Sequence, residues 1–156
     1  MQTASGLELK IPPLVLALLF GILMWLLART TTPLLLPDNV AGLASAVLGL
    51  SGSLCIATGA LSFRKAGTTV NPVAPDSSSA LVTGGIYRFT RNPMYLGMLL
   101  LLLAWGIYLV NAFSIALCIG FILYMNRFQI QVEERALTNI FGDAYRAYTM
   151  KVRRWL

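Results

Sequence analysis

Met94 to Met125 reads MYLGMLLLLLAWGIYLVNAFSIALCIGFILYM, a block of 32 residues without a single charge. A helix needs about 20 apolar residues to cross roughly 30 Å of hydrocarbon at about 1.5 Å per residue. Thirty-two is too many for one crossing and slightly few for two. Asn111, near the middle, is a natural turn residue. The block therefore predicts a tight helical hairpin, Pro93–Val110 followed by Ala112 to about Leu137. Its second arm would occupy the membrane over about 112–130 and then run into water.

Two further apolar stretches precede it, about Leu9 to Ala28 and about Val40 to Phe63. Pro12-Pro13 suit the first turn of a helix. Ala28-Arg29-Thr30 is a poor signal-peptidase site, and Glu8 sits beside Lys10, so the first stretch reads as a span. Gly42, Ala46, Gly49 and Gly52, with Ser45 and Ser53, form a small-residue face in the second, suited to close helix packing. The expected fold is an all-α integral membrane protein of about four transmembrane helices. A cytoplasmic amphipathic segment follows the hairpin, and residues 1–156 form a single membrane domain.

Composition agrees. Hydrophobic residues make up 57% of the 156 and charged residues 12%, against roughly 25% charged in a soluble domain. Mean hydropathy is +0.72. The chain has no histidine, which removes a Ser-His-Asp triad, a histidine base and a His-ligated zinc. Cys55 and Cys118 lie inside apolar runs, so neither a disulfide framework nor a metal site is expected.

The few charges report orientation. Arg64, Lys65, Arg88 and Arg91 lie between the second and third spans. Arg127, Arg135, Arg146, Lys151, Arg153 and Arg154 follow the fourth. The opposite loops hold only Arg29. The positive-inside rule then puts both termini in the cytoplasm. We expect a multi-pass protein of a bacterial inner membrane whose net charge of +6 contacts anionic lipid rather than nucleic acid.

Polar side chains concentrate in two segments, about 71–95 and 126–155. Tyr124, Arg127, Gln131 and Glu134 fall at i, i+3, i+7 and i+10, one stripe of an unbroken α-helix, with Glu133 beside it. Simpler readings exist for each feature. Arg127 suits a snorkelling interface anchor, and Glu133-Glu134 a solvated face. Tyr87, Tyr95, Tyr145 and Tyr148 suit an aromatic belt. Gly84-Gly85 suits a turn better than a phosphate cradle, because no GxGxxG or GxxxxGK pattern is present.

Taken together, LVTGGIYRFTRNPMYLG (Leu81–Gly97), a hairpin of about 35 residues, and RFQIQVEERALTNIFGDAYRAY (Arg127–Tyr148) resemble the isoprenylcysteine carboxyl methyltransferase family. Those proteins, like the similar phospholipid methyltransferases, are integral membrane enzymes that use S-adenosylmethionine. The resemblance covers about Asn71 to Trp155. It implies cofactor contacts from Ser79, Ala80, Leu81, Val82 and Tyr87. It also implies them from Arg91, Asn92, Pro93, Met94 and Tyr95, which match the family's Arg-His-Pro-x-Tyr motif. Arg127 matches a substrate-facing arginine, and Gln131, Glu133 and Glu134 match an acidic cluster that helps hold the cofactor. Asn92 stands where the family usually has histidine, and Gln131 where the eukaryotic members have glutamate.

The resemblance implies methyl transfer to a lipophilic acceptor drawn from the bilayer between spans two and four. A carboxylate acceptor, with a reference pKa of roughly 3.5–4, is already ionised at neutral pH. It would need Arg127 to orient it and no base. An amine or thiol acceptor would need Glu134 or a tyrosine to take a proton. Two other readings are an NADPH-dependent sterol-type reductase and a non-enzymatic lipid-binding protein of the same fold. Oligomeric state stays open.

Overall fold

The computed structural model describes residues 9–67 and 80–156, and every regular element among them is helical. Helix α1 spans Pro13–Thr30, α2 Asp38–Lys65, α3 Pro93–Tyr108 and α4 Ala112–Tyr124. A π-helical segment, Met125–Ile130, joins α4 to α5, Gln131–Phe141, and α6 covers Asp143–Lys151. A 3₁₀ turn, Gly85–Arg88, precedes α3.

Among the described residues three helices are long and apolar enough to cross a membrane: α1, α2 and the continuous 30-residue run Ala112–Phe141. At 1.5 Å per residue that run is about 45 Å long, well beyond the hydrocarbon thickness. Helix α3 is equally apolar but has only 16 residues. Leu43, Val47, Leu50 and Leu54 on α2, and Leu14, Leu18 and Ile22 on α1, are exposed. A surface this apolar belongs against lipid.

The hairpin turns as expected, by a mechanism the spacing did not specify. Asn111 is not the turn's left-handed residue. Val110 is, with φ +49°. Asn111 instead caps α4, its side-chain oxygen accepting from Ser114 N at 2.9 Å. Its amide donates to Thr31 Oγ1 at 2.7 Å, fastening the end of α1 to the hairpin. Two more bonds tie α1 inward: Trp105 Nε1 to Gly21 O at 3.1 Å, and Ser114 Oγ to Met24 O at 2.8 Å. With lipid outside, such interhelical bonds and close packing replace the hydrophobic drive between helices.

Helices α2 and α3 pack tightest. A Cβ on Gly52 would lie 2.8 Å from Gly97 O, and one on Gly97 would lie 2.6 Å from Gly52 O. The small-residue face of α2 is thus used at Gly52 and again at Gly59, which meets Pro93 and Met94, whereas Gly42 faces open space. The core proper lies among α1, α3 and α4, around Met24, Leu99, Phe121 and Met125. Gly142 ends α5 with φ +52° and ψ −123°, a conformation few residues other than glycine adopt.

Candidate methyl-transfer site

The polar segments meet at one end of this bundle. Gly85, at φ +61°, opens the 3₁₀ turn and swings Tyr87 inward, where it is buried with its ring edge-on to Phe63 at 5.4 Å. The chain then passes Thr90, 1% exposed, whose hydroxyl accepts from Asn92 N at 3.2 Å. Pro93 starts α3, and Tyr95 in its first turn is buried.

From the other side, the π-helical segment and the first turn of α5 present Gln129, Glu133 and Glu134. Tyr95 Oη donates to Glu133 Oε1 at 2.5 Å, and Gln129 Nε2 donates to the same oxygen at 2.5 Å. Glu134 belongs to a separate network. Arg154 grips it with a two-pronged fork, Nε to Oε1 at 3.0 Å and Nη2 to Oε2 at 2.6 Å. Arg91 Nη2 adds a third contact at 3.1 Å. Two adjacent glutamates thus serve two networks, one linked to tyrosine and amide, the other to two guanidinium groups.

Tyrosines line the remaining wall. Tyr148 Oη donates to Tyr87 O at 2.7 Å. Burial pushes Tyr148 up to about 12, with Tyr145 acting in the same direction. Burial also pushes Tyr145 up to about 12; the Glu134 charge adds to this and the Arg91 guanidinium opposes it. Burial raises Tyr87 further still. All three remain neutral hydrogen-bonding groups at physiological pH. Because Tyr87, Tyr95 and Tyr145 are buried, they do not form a lipid-facing belt.

The expected site residues divide clearly. Tyr87, Arg91, Asn92, Tyr95, Glu133 and Glu134 are brought together by the contacts above and by Asn92 Nδ2 donating to Arg154 O at 2.9 Å. Ala80, Leu81 and Val82 are half-buried and lead non-helically into the 3₁₀ turn. Ser79 lies outside the described residues. Pro93 and Met94 pack toward Gly59 of α2.

The stripe of Tyr124, Arg127, Gln131 and Glu134 is broken by the π-helical segment. Six π-helical residues turn the helix by less per residue than an α-helix does, so everything beyond them changes face. Arg127 and Gln131 are both exposed, and the Arg127 guanidinium lies 5.5 Å from the centre of the Phe128 ring. Gln131 and Glu134 border an open depression of about 460 Å³ with Arg135, Thr138 and Asn139. The inward amide is Gln129, only 3% exposed. Its i,i+4 spacing to Glu133 was the signal that could have found it. Arg154, Asn126 and Trp155 were also missed, since they lay in a segment whose charge read as topology.

An apolar cavity of about 490 Å³ opens between α1 and α3, lined by residues that include Leu18, Trp25, Met98 and Trp105, with Ile56 from α2. Helix α1 forms one of its walls. Met98, at its edge, is one turn along α3 from Tyr95.

Among known families, phospholipid methyltransferase matches residues 40–144, more than half of the chain. The chain belongs to that family. Membership makes it a membrane methyltransferase, in keeping with its apolar helices. A probable protein-S-isoprenylcysteine O-methyltransferase of Oryza sativa subsp. indica is 31% identical over 138 residues, covering 81% of this chain and 69% of the rice protein. The protein-S-isoprenylcysteine O-methyltransferase of Schizosaccharomyces pombe is 39% identical over 75 residues, 46% of this chain and 30% of the yeast protein. An uncharacterized protein of Haemophilus influenzae is 54% identical over 63 residues, 40% of this chain and the whole of that protein. No solved structure matches the chain.

Proposed function

We propose that this methyltransferase uses S-adenosylmethionine to methylate a lipophilic, membrane-borne acceptor, with the carboxylate of an isoprenylcysteine-like group favoured and a phospholipid amine the second candidate. The observation that carries the reading is the convergence of Tyr87, Arg91, Tyr95, Glu133 and Glu134 on the end of an apolar bundle in a chain of this family.

The residues fit such a donor. Arg91 Nε is buried and has no hydrogen-bond partner among the described residues. An orphaned guanidinium donor of this kind is costly unless it meets an acceptor, and a ligand carboxylate would be one. Tyr87 and Tyr95, with Leu81 and Val82, offer the aromatic and aliphatic surface for a purine ring. Glu133, already oriented by Tyr95 and Gln129, suits an ammonium or ribose hydroxyls. Ala80 and Asn92 border that surface, and Ser79 would extend it. When bound, the donor supplies an electrophilic methyl on a positively charged sulfur. The protein's part is to orient both partners and exclude water.

Arg127 remains the residue we assign to the acceptor. Exposed at the membrane end of the site, it can hold a lipid-borne carboxylate in line without acting as a base. The apolar cavity beside α1 is large enough for a lipid chain. We further place both termini in the cytoplasm of a bacterial cell, on the charge distribution of the loops.

The test is calorimetric titration of S-adenosylhomocysteine into the detergent-solubilised protein, with NADPH as comparison. Micromolar binding of the former alone is the expected result. Preference for NADPH would indicate a reductase, and binding of neither would indicate a lipid-binding relative without activity.

A further inference from the structure

The last residues of the chain are held against the candidate site by more bonds than packing alone would need. Beyond α6, Val152 is buried and Arg91 N donates to Arg153 O at 3.0 Å. Arg154 O accepts from Asn92 Nδ2 at 2.9 Å and from Thr90 Oγ1 at 3.4 Å. Trp155 Nε1 donates to Asn126 Oδ1 at 3.0 Å. The Arg154 side chain then turns back to clasp Glu134 through two bonds. Every partner comes from the two segments that build the site.

We propose that residues 152–156 form a strap that completes the methyl-donor pocket, with Arg154 as a positioning residue. This rests on the reading of the polar cluster as the donor site. Glu134 bridges Arg154 and Arg91, so Arg154 fixes the carboxylate that in turn fixes the Arg91 guanidinium. Two of the Arg91 nitrogens are thereby distinguished: Nη2 is committed to Glu134, while Nε, buried and unpartnered, is left for the ligand. A single carboxylate between two guanidinium groups leaves one positive charge over, which suits an anionic end of the donor. Glu134 is then a brace and does not itself contact the donor's ammonium, a role that falls to Glu133.

The same geometry accounts for Asn92. Its side chain is a hydrogen-bond donor to the strap backbone, a task that asks for an N–H and for no titration. An imidazole N–H could make the same bond. Asparagine at this position therefore keeps the strap contact in a chain without histidine.

Two arms test the strap on the full-length protein in detergent. In the first, S-adenosylhomocysteine is titrated into wild type, Arg154→Ala, Arg154→Lys, Glu134→Ala and the Arg154→Ala/Glu134→Ala pair. Arg154→Ala should weaken binding by roughly tenfold and Arg154→Lys by less, because lysine keeps the charge and loses the fork. The pair should be little weaker than either single variant, since the two groups act as one unit. In the second arm, trypsin cleavage after Arg153 and Arg154 is followed by mass spectrometry. Saturating S-adenosylhomocysteine should slow it by roughly tenfold, a protection that follows local opening of the strap. This arm uses wild type alone and decides the matter if Arg154→Ala does not fold. Wild type that fails to bind S-adenosylhomocysteine overturns the donor reading itself. Wild type that binds it, with cleavage unslowed and Arg154→Ala affinity unchanged, overturns the strap and leaves the donor reading standing.

Discussion

The Tyr95 hydroxyl donates to Glu133 Oε1 at 2.5 Å, joining the first turn of α3 to the first turn of α5 across 38 residues of sequence. Removing the hydroxyl leaves Glu133 with one donor fewer in a half-buried place. Hydrogen bonds to charged groups contribute about 1.5–3 kcal/mol. Tyr95→Phe should therefore lower affinity for S-adenosylhomocysteine by about tenfold or more, at about 1.4 kcal/mol per decade. Calorimetry checks the affinity, and unchanged far-ultraviolet dichroism checks that the helices remain.

The two glutamines near this pair should behave oppositely. Gln129 is buried and bonded to Glu133, whereas Gln131 is exposed. Gln129→Ala should destabilise the protein by about 1–3 kcal/mol, and Gln131→Ala by less than about 0.5 kcal/mol. Thermal unfolding in detergent compares them. Equal effects would contradict the register described here.

That contrast shows where the sequence was legible and where it was not. The hairpin and the pairing of the two polar segments followed from apolar run lengths, a turn residue and motif order. The facing of residues beyond Tyr124 did not, because the next six are π-helical and an α-helical period does not hold through them. No local composition marks such a segment, and the shift moves Gln129 inward in place of Gln131. Arg154 was hidden for a different reason. A single arginine among Lys151, Arg153 and Arg154 reads as one more cytoplasmic charge until tertiary structure places Glu134 beneath it. Gly52 was visible as part of a small-residue face, but its partner Gly97 was lost in an apolar run.

The glycine contact offers its own check. A methyl on Gly97 would come within 2.6 Å of Gly52 O and of Ile56 Cγ1, and backbone cannot move aside as a flexible side chain can. Gly97→Ala should destabilise by about 1–3 kcal/mol, the usual cost of overpacking. Gly42→Ala, with nothing within 4 Å, should be neutral or slightly stabilising. Unfolding midpoints of the two variants measure the difference.

Alkaline pH should loosen the tyrosine wall. Burial holds the folded Tyr148 and Tyr145 at about 12, above the ordinary value near 10. A raised folded value means that the folded state keeps its proton longer, so the stabilising contribution is complete below about pH 10 and is lost as pH rises toward 12. The unfolding midpoint should fall across that window, and Tyr148→Phe should show a shallower fall. An identical slope in the variant would contradict the burial of Tyr148.

The reaction proposed for this protein is methyl transfer from S-adenosylmethionine to a membrane-borne acceptor. The most direct measurement incubates the purified protein with methyl-labelled S-adenosylmethionine and a lipid extract of its host, and follows label by mass spectrometry. Label should appear in a lipophilic product, depend on Arg127 and be abolished by Glu133→Ala. No label in any lipid, with S-adenosylhomocysteine unbound in the same preparation, would contradict it.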